Sequence, residues 1–473
     1  MMAYLGFFTS AIVSFFQFFI NYIRTVYLAF KLDGPKAVPF LGNVLLLKDE
    51  EEMEAVGTHV YARHGPFMRI WVSILPVIFI YEPSHLRVIL GTNKYSEKNI
   101  FYSILHNFIG EGLITNNGDK WKRNRRLIQP LFHVNILETF IEEFQNSAER
   151  FVDKLEGVTD TNIKISTFVN DCVLDILHNT VLGIPVDKDS PYRQGEVLLV
   201  TRLVRPWLLL EKIFKQTESA DKEQQQKRSL HEYTKKVLSQ KRSTNTFSKK
   251  CLMDMLVEIA SNNKEFTDED LINETVTFML AGQDSVGAGI AFSLFYLAKY
   301  PDIQQKVIEE LGTIGTITGM KELNEMKYLE QVIKETLRLA PSVPILARVL
   351  TEEVVLDGKT FPSGTNLLIS PYITHRLPHV FPNPLEFNPD RFSPENLEKM
   401  HPYAFLPFSL GPRNCIGYKF AYLEMKSVLS AIVRRFELSL KPGYDSYQMK
   451  YRTTIRAKGG IWLQLKRREN VIR

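Results

Sequence analysis

Cys415 lies in the run Phe408 to Gly417, F-S-L-G-P-R-N-C-I-G, just ahead of a stretch of apolar residues at helical spacing, roughly 420 to 436. A thiolate there would sit near the unpaired N–H groups and positive dipole end of the following helix, and both favour S⁻ over SH. Arg413, two residues earlier, adds positive charge. Gly411 permits a turn that a Cβ would hinder, and Gly417 lets a flat ligand or another backbone come close. A second chemical pair is Asp284-Ser285, an acid beside an alcohol inside an apolar helical stretch, which is costly to bury unless it works. A lone cysteine in a long chain is ordinarily a packing residue, and the pattern around Cys415 is what sets it apart.

Phe408, Gly411, Arg413, Cys415 and Gly417 match F-x-x-G-x-R-x-C-x-G at every fixed position, so the chain resembles the cytochrome P450 family of haem-thiolate enzymes, most like family 4. By that resemblance Cys415 is the proximal ligand of haem iron. Ala281-Gly282-Gln283-Asp284-Ser285 resembles the family's oxygen-activating motif A/G-G-x-D/E-T, which makes Asp284 and Ser285 the distal proton relay. Serine in place of threonine lacks a methyl group and implies a looser geometry with some peroxide release. Ala281 stands where many family 4 members carry a glutamate esterified to the haem, so the expected cofactor is haem b with no ester link. Trp121 and Arg125 match W-x-x-x-R, and with Arg348 and Arg413 they are expected to hold the haem propionates, a task for which the planar guanidinium fork is suited. Glu335 and Arg338 match E-x-x-R and, with Arg391 of Phe387–Phe392, imply a structural network behind the cysteine loop. His375, His379 and His401 match no ligand motif.

The elements that must position these residues are legible in outline. Thr267-Asp268-Glu269-Asp270 is a capping box with Phe266 and Leu271 as its staple, and no proline follows until Pro301. The helix predicted there is about 30 residues long and on the order of 45 Å. It contains Gly282, Gly287 and Gly289, each costing roughly 1 kcal/mol against Ala, so tight packing or a functional distortion must offset them. Ala281, Ser285, Ala288 and Gly289 form a face of small side chains, fit for a flat macrocycle or for close helix packing. Residues 67–81 read as a hairpin, 354–369 as short strands and turns, and 451–465 as a closing hairpin centred on Gly459-Gly460. The rest carries helical periodicity, giving a mainly α protein with small β-sheets. The family resemblance implies the cytochrome P450 fold.

The chain has 473 residues, 45% hydrophobic and 11% aromatic, ample for a core enclosing a large apolar cofactor. No linker or repeat divides it after residue 35, so the expected organisation is a membrane anchor over 1–30 and one catalytic domain over 31–473. The first 23 residues carry no charged side chain, enough for a bilayer-spanning helix. Arg24, Lys31 and Lys36 follow, which by the positive-inside rule places the main domain in the cytosol. Gly34 to Gly42 resembles the proline-rich hinge of microsomal family members, and the expected location is the endoplasmic reticulum membrane. Cys172, Cys251 and Cys415 are odd in number and far apart, against a disulfide framework. The net charge of +5 suits a membrane surface or an acidic partner, and no nucleic-acid module is recognisable.

The resulting expectation is a monooxygenase acting on a lipophilic substrate such as a fatty acid, hydrocarbon or terpenoid. Without a convincing G-x-G-x-x-G unit, electrons must come from a separate NADPH-cytochrome P450 reductase, with cytochrome b5 as a second donor. Lys419 and Lys426 are candidates for its docking face. Residues 100–114, 206–210 and 342–346 are candidate substrate contacts. Two alternatives stay open: a haem-thiolate isomerase or dehydratase that needs no reductase, and a non-catalytic haem or lipid-binding protein.

Overall fold

The computed structural model describes residues 2–43, 46, 59–158, 162–193, 202, 205–244, 251–451 and 453–469. The helices that position the site are α1 (Met2–Lys31), α2 (Pro83–Leu90), α3 (Ile100–Ile109), α4 (Gly118–Ile128), α5 (Ile141–Glu156), α6 (Ile165–Leu177), α7 (Glu218–Thr244), α8 (Asp268–Lys299), α9 (Lys327–Leu339) and α10 (Tyr418–Arg435). The strands are β1 (Phe67–Val72), β2 (Leu75–Ile80), β3 (Asn162–Lys164), β4 (Leu346–Val349), β5 (Val354–Leu356), β6 (Lys359–Phe361), β7 (Asn366–Ile369), β8 (Phe436–Leu440), β9 (Met449–Tyr451), β10 (Ile455–Ala457) and β11 (Trp462–Arg467). One sheet runs β1-β2-β7-β4, with β2 and β7 parallel and the other pairs antiparallel. A second runs β3-β11-β8, and β5-β6 and β9-β10 are two-stranded. The expected mainly α fold with small sheets is the one observed.

α8 begins as the capping box requires: the Thr267 hydroxyl accepts from the Asp270 N–H at 3.2 Å, and Asp270 Oδ2 accepts from the Thr267 N–H at 3.0 Å. Its glycines are explained by close packing. A Cβ on Gly282 would stand 2.8 Å from Leu177 of α6, on Gly287 2.9 Å from Asn170 of α6, and on Gly289 2.9 Å from Met425 of α10. Helices on two sides therefore approach α8 where side chains are absent. Ala288 is buried and Gly289 is occupied by Met425, so the small-residue face left open is narrower than its wheel suggests.

The closing hairpin is centred differently from the expectation. β9 pairs with β10, Tyr451 opposite Ile455, while β11 pairs with β3 and β8. Gly459 and Gly460, with φ of 80° and 85°, carry the chain from one sheet into the other instead of folding it back on itself.

Residues 12–31 of α1 are long and apolar enough to cross a membrane. Phe15, Phe16, Phe18 and Phe19 are exposed on it, whereas Leu28 and Leu32 are buried with Ile78 and Ile369 of the four-stranded sheet. The Tyr22 hydroxyl donates to the Ile74 carbonyl at 3.0 Å, and Arg24 pairs with Glu353. The final turns of α1 are thus part of the packing, and the segment after it lies along β1: Asn43 Nδ2 donates to the Lys36 carbonyl, and its Oδ1 accepts from the Trp71 N–H. α8 also passes a length and hydropathy test for spanning, but it is mostly buried by protein and acts as the core helix.

Candidate active site

The cysteine loop is held by its backbone. Gly411 has φ of 75°, and a Cβ there would stand 1.8 Å from the Leu90 carbonyl oxygen at the end of α2. No other residue fits that approach. The Asn414 N–H donates to the Gly411 carbonyl at 3.0 Å, and the Cys415 N–H to the Phe408 carbonyl at 2.8 Å, closing the loop just before α10. The Phe408 ring packs edge-on to Tyr422 at 5.1 Å. Around Gly417 the nearest atom to an added Cβ is on Phe132 at 3.5 Å, so protein leaves this position uncrowded.

The Cys415 side chain is accessible although protein surrounds it. Burial raises the thiol pKa, while a hydrogen bond from the Gly417 N–H and the Arg125 charge lower it. The sequence suggested a thiolate favoured by the helix end and Arg413; the groups that act on the sulfur are the Gly417 N–H and Arg125, and desolvation outweighs these two. A metal ion bonded to the sulfur reverses that balance, because a coordinating thiol gives up its proton. Cys172 and Cys251 are buried with raised thiol pKa values, as packing residues are.

From the Gly289–Met425 contact, α10 runs back toward Cys415 and α8 runs back toward Ala281. Ala281 is exposed although most of α8 is buried. One turn on, Ser285 Oγ donates to the Ala281 carbonyl at 2.7 Å, which leaves its lone pairs free to accept. The Ser285 carbonyl accepts from Ser342 Oγ at 2.7 Å, fixing this turn to the segment before β4. Asp284 points elsewhere. Its carboxylate accepts from Thr454 Oγ1 and from Arg456, whose Nε is 3.0 Å from Oδ1, so β10 and the residue just before it hold the acid.

Four cations converge beside the loop. Arg413 donates from Nε to the Ser96 carbonyl at 3.0 Å and from Nη2 to Asn117 at 2.9 Å, stacks 3.8 Å over the Trp121 ring, and leaves Nη1 buried without a partner. Arg125 is held by the Asn414 carbonyl at 2.9 Å and side chain at 2.7 Å. Arg348 is 2% exposed and donates to the Ala347 carbonyl. Burial, then Arg348, brings the Arg413 pKa down to about 9, and burial with Arg348, Arg413 and Arg125 takes Lys98 well below the usual lysine range. Buried like charges at this density are costly unless an anion joins them. The orphaned Nη1 and the mutual repulsion fit a ligand that brings carboxylates, and the neighbouring thiol and uncrowded Gly417 fit a flat iron-containing group. Haem has both features.

Behind the loop, the buried Arg338 donates from Nε to Glu335 at 2.7 Å and from Nη2 at 2.9 Å, and it also bonds the His375, Pro384 and Glu386 carbonyls. Arg391 Nε lies 3.4 Å from Glu335, so the three residues expected to share a network do. His375 joins them: its Nε2 accepts from the Leu406 N–H at 2.8 Å, which links the network to the start of the cysteine loop. Burial with Arg338 and Arg376 holds this histidine neutral.

The structure therefore gathers Trp121, Arg125, Arg348, Arg413 and Cys415 on one side and Ala281 and Ser285 on α8, with Asp284 turned to the C-terminal strands. Lys98, Asn117, Asn414, Thr454 and Arg456 were not expected. None stands in a local pattern; Arg456 meets Asp284 across 172 residues of chain. Lys426 is buried and pairs with Glu330 at 2.6 Å, which removes it from any docking face, whereas Lys419 is exposed.

Comparison with known proteins bears on the same residues. A family model described as Cytochrome P450 matches residues 32–461. Probable cytochrome P450 4aa1 of Drosophila melanogaster is 44% identical, covering 97% of this chain and 94% of its own length. Cytochrome P450 4V2 of Homo sapiens is 33% identical over 92% of this chain and 89% of its own. Cytochrome P450 4c3 of Drosophila melanogaster is 32% identical over 93% and 90%.

Proposed function

Because the chain belongs to the cytochrome P450 family and is most like family 4, it is a haem-thiolate monooxygenase, and we propose that it hydroxylates a lipophilic substrate at the endoplasmic reticulum membrane. Haem supplies the activation of dioxygen that the side chains cannot. The observation that carries the assignment of residues is the buried cation cluster beside Cys415, with its orphaned Arg413 nitrogen.

In this reading Cys415 is the iron ligand, and Trp121, Arg125, Arg348, Arg413 and Lys98 hold the cofactor's carboxylates. Ala281 has no carboxyl group to bond, so the cofactor is haem b, bound without an ester. Ser285 Oγ, with its proton directed at the Ala281 carbonyl, accepts a hydrogen bond from the distal side. Asp284 moves protons inward only when Arg456 releases it, so Arg456 and Thr454 set how often the acid is free. The missing threonine methyl group loosens this relay and allows some peroxide release.

Electrons come from NADPH-cytochrome P450 reductase, with cytochrome b5 as a second donor, and the exposed Lys419 belongs to their docking face. The substrate class rests on apolar surface left accessible near Ser285: Ala281, and Ile345, three residues after Ser342. The apolar helix α1 supports the membrane location, with the basic residues after its apolar part on the cytosolic side.

A turnover screen of the holoprotein with fatty acids, hydrocarbons and terpenoids tests the proposal. We expect products one oxygen heavier than substrate, formed only with NADPH and reductase. Conversion of lipid peroxides without either would point to the isomerase or dehydratase, and ligand binding without product to a carrier.

A further inference from the structure

Glu274 is a fully buried carboxyl on α8, about two turns before Ala281, with no part in the chemistry above. Its Oε2 accepts from the Leu113 N–H at 2.9 Å, and its Oε1 accepts from Asn124 Nδ2 at 3.1 Å. These donors lie on the two segments that lead into the cation cluster. Asn124 precedes Arg125 on α4, the helix whose Trp121 carries the Arg413 guanidinium. Leu113 lies in the turn 110–117, closed by Thr115 Oγ1 on the Gly110 carbonyl at 2.9 Å and by Asn116 Nδ2 on the Glu111 carbonyl at 3.0 Å. The turn ends at Asn117, whose Oδ1 accepts from Arg413 Nη2 and from the Lys98 N–H, each at 2.9 Å.

The turn lies directly on α8. A Cβ on Gly112 would stand 2.1 Å from Thr277 Oγ1, and one on Gly110, whose φ is 76°, 2.1 Å from Asn273 Oδ1. Nearer the start of α8, Asp270 pairs with Lys120 at 3.3 Å and Arg123 at 3.8 Å, a tie at the outer edge of the same contact. An apolar side chain would fill the Glu274 position with less desolvation cost, but it could not receive the two donors.

We propose that Glu274 is a positioning residue for cofactor retention: through Leu113 and Asn124 it fixes, relative to α8, the two segments that bring Arg125, Arg413 and Lys98 together. The inference rests on reading that cluster as the site for the cofactor's carboxylates.

Glu274→Gln keeps the shape but offers one accepting oxygen for two donors. Asn124→Asp in the same chain restores the match, because the new carboxylate accepts from the glutamine amide and still accepts from Arg123 Nε, which now bonds Asn124 Oδ1 at 3.2 Å. The readout is the rate at which intact holoprotein loses haem to excess apomyoglobin, alongside the denaturant midpoint. We expect Glu274→Gln to raise the rate roughly ten-fold, the effect of one unpartnered buried donor, and the double variant to return it close to the starting value. If Glu274→Gln does not fold, Asn124→Ala, which removes one of the two links, should give the same rise. Equal transfer rates in native and variant proteins, or a rise that only follows lost stability and is not reversed by Asn124→Asp, would overturn the inference. A native protein that takes up no haem would instead overturn the reading of the cluster.

Discussion

Alanine at 281 has no side-chain oxygen, so in the proposed site it forms no ester to the cofactor. Acid solvent extraction of the native holoprotein should therefore leave the polypeptide free of haem, and absorbance retained on the denatured chain would contradict this. Local patterns made the individual site residues readable, because Phe408, Gly411, Arg413, Cys415 and Gly417 all lie within one short loop. The ionisation of Cys415 was not readable in the same way. Arg413 and the helix end are visible in the sequence, but the approach of Arg125 and the burial that outweighs it are properties of the assembled fold. The same limit applies to Arg456 and Thr454: one arginine and one threonine in a short hairpin carry no sign that they hold Asp284.

α9 carries a buried ion pair, Glu335–Arg338, that reaches the start of the cysteine loop through His375. Removing one partner leaves an uncompensated buried charge, which costs about 3–5 kcal/mol. Glu335→Ala should lower the unfolding free energy by that amount, read as a lower denaturant midpoint, and leave little haem-containing protein; a variant that unfolds with the native protein would contradict a scaffold role. The elements that carry this arrangement were legible to differing degrees. The start of α8 follows from a capping box that acts within four residues, and β1 and β2 follow from a run of β-branched and aromatic residues, although Leu75-Pro76, which read as the break between them, open β2 and pair with Val72 and Trp71. The closing hairpin was displaced because Gly459-Gly460 mark a change of sheet as readily as a reversal, and only long-range pairing of β11 with β8 and β3 decides between them.

Across the molecule, one core helix, one backbone-locked loop and one group of buried cations make up the proposed site, and each is incomplete alone. Composition gave the capacity for such a core, and motif order gave its contents. The convergence of Lys98, Arg125, Arg348 and Arg413 from four separate segments is a property of the whole chain that no window of sequence contains. The expected basic docking face was reduced for the same reason, since Lys426 is consumed by Glu330 inside the packing. The central claim, that Cys415 is the thiolate ligand of haem iron, is tested most directly by the reduced carbon monoxide difference spectrum of the folded holoprotein and of Cys415→His. The native protein should give the red-shifted band of thiolate ligation and the variant should lose it while retaining haem; a native spectrum without that band, or a variant that keeps it, would contradict the account.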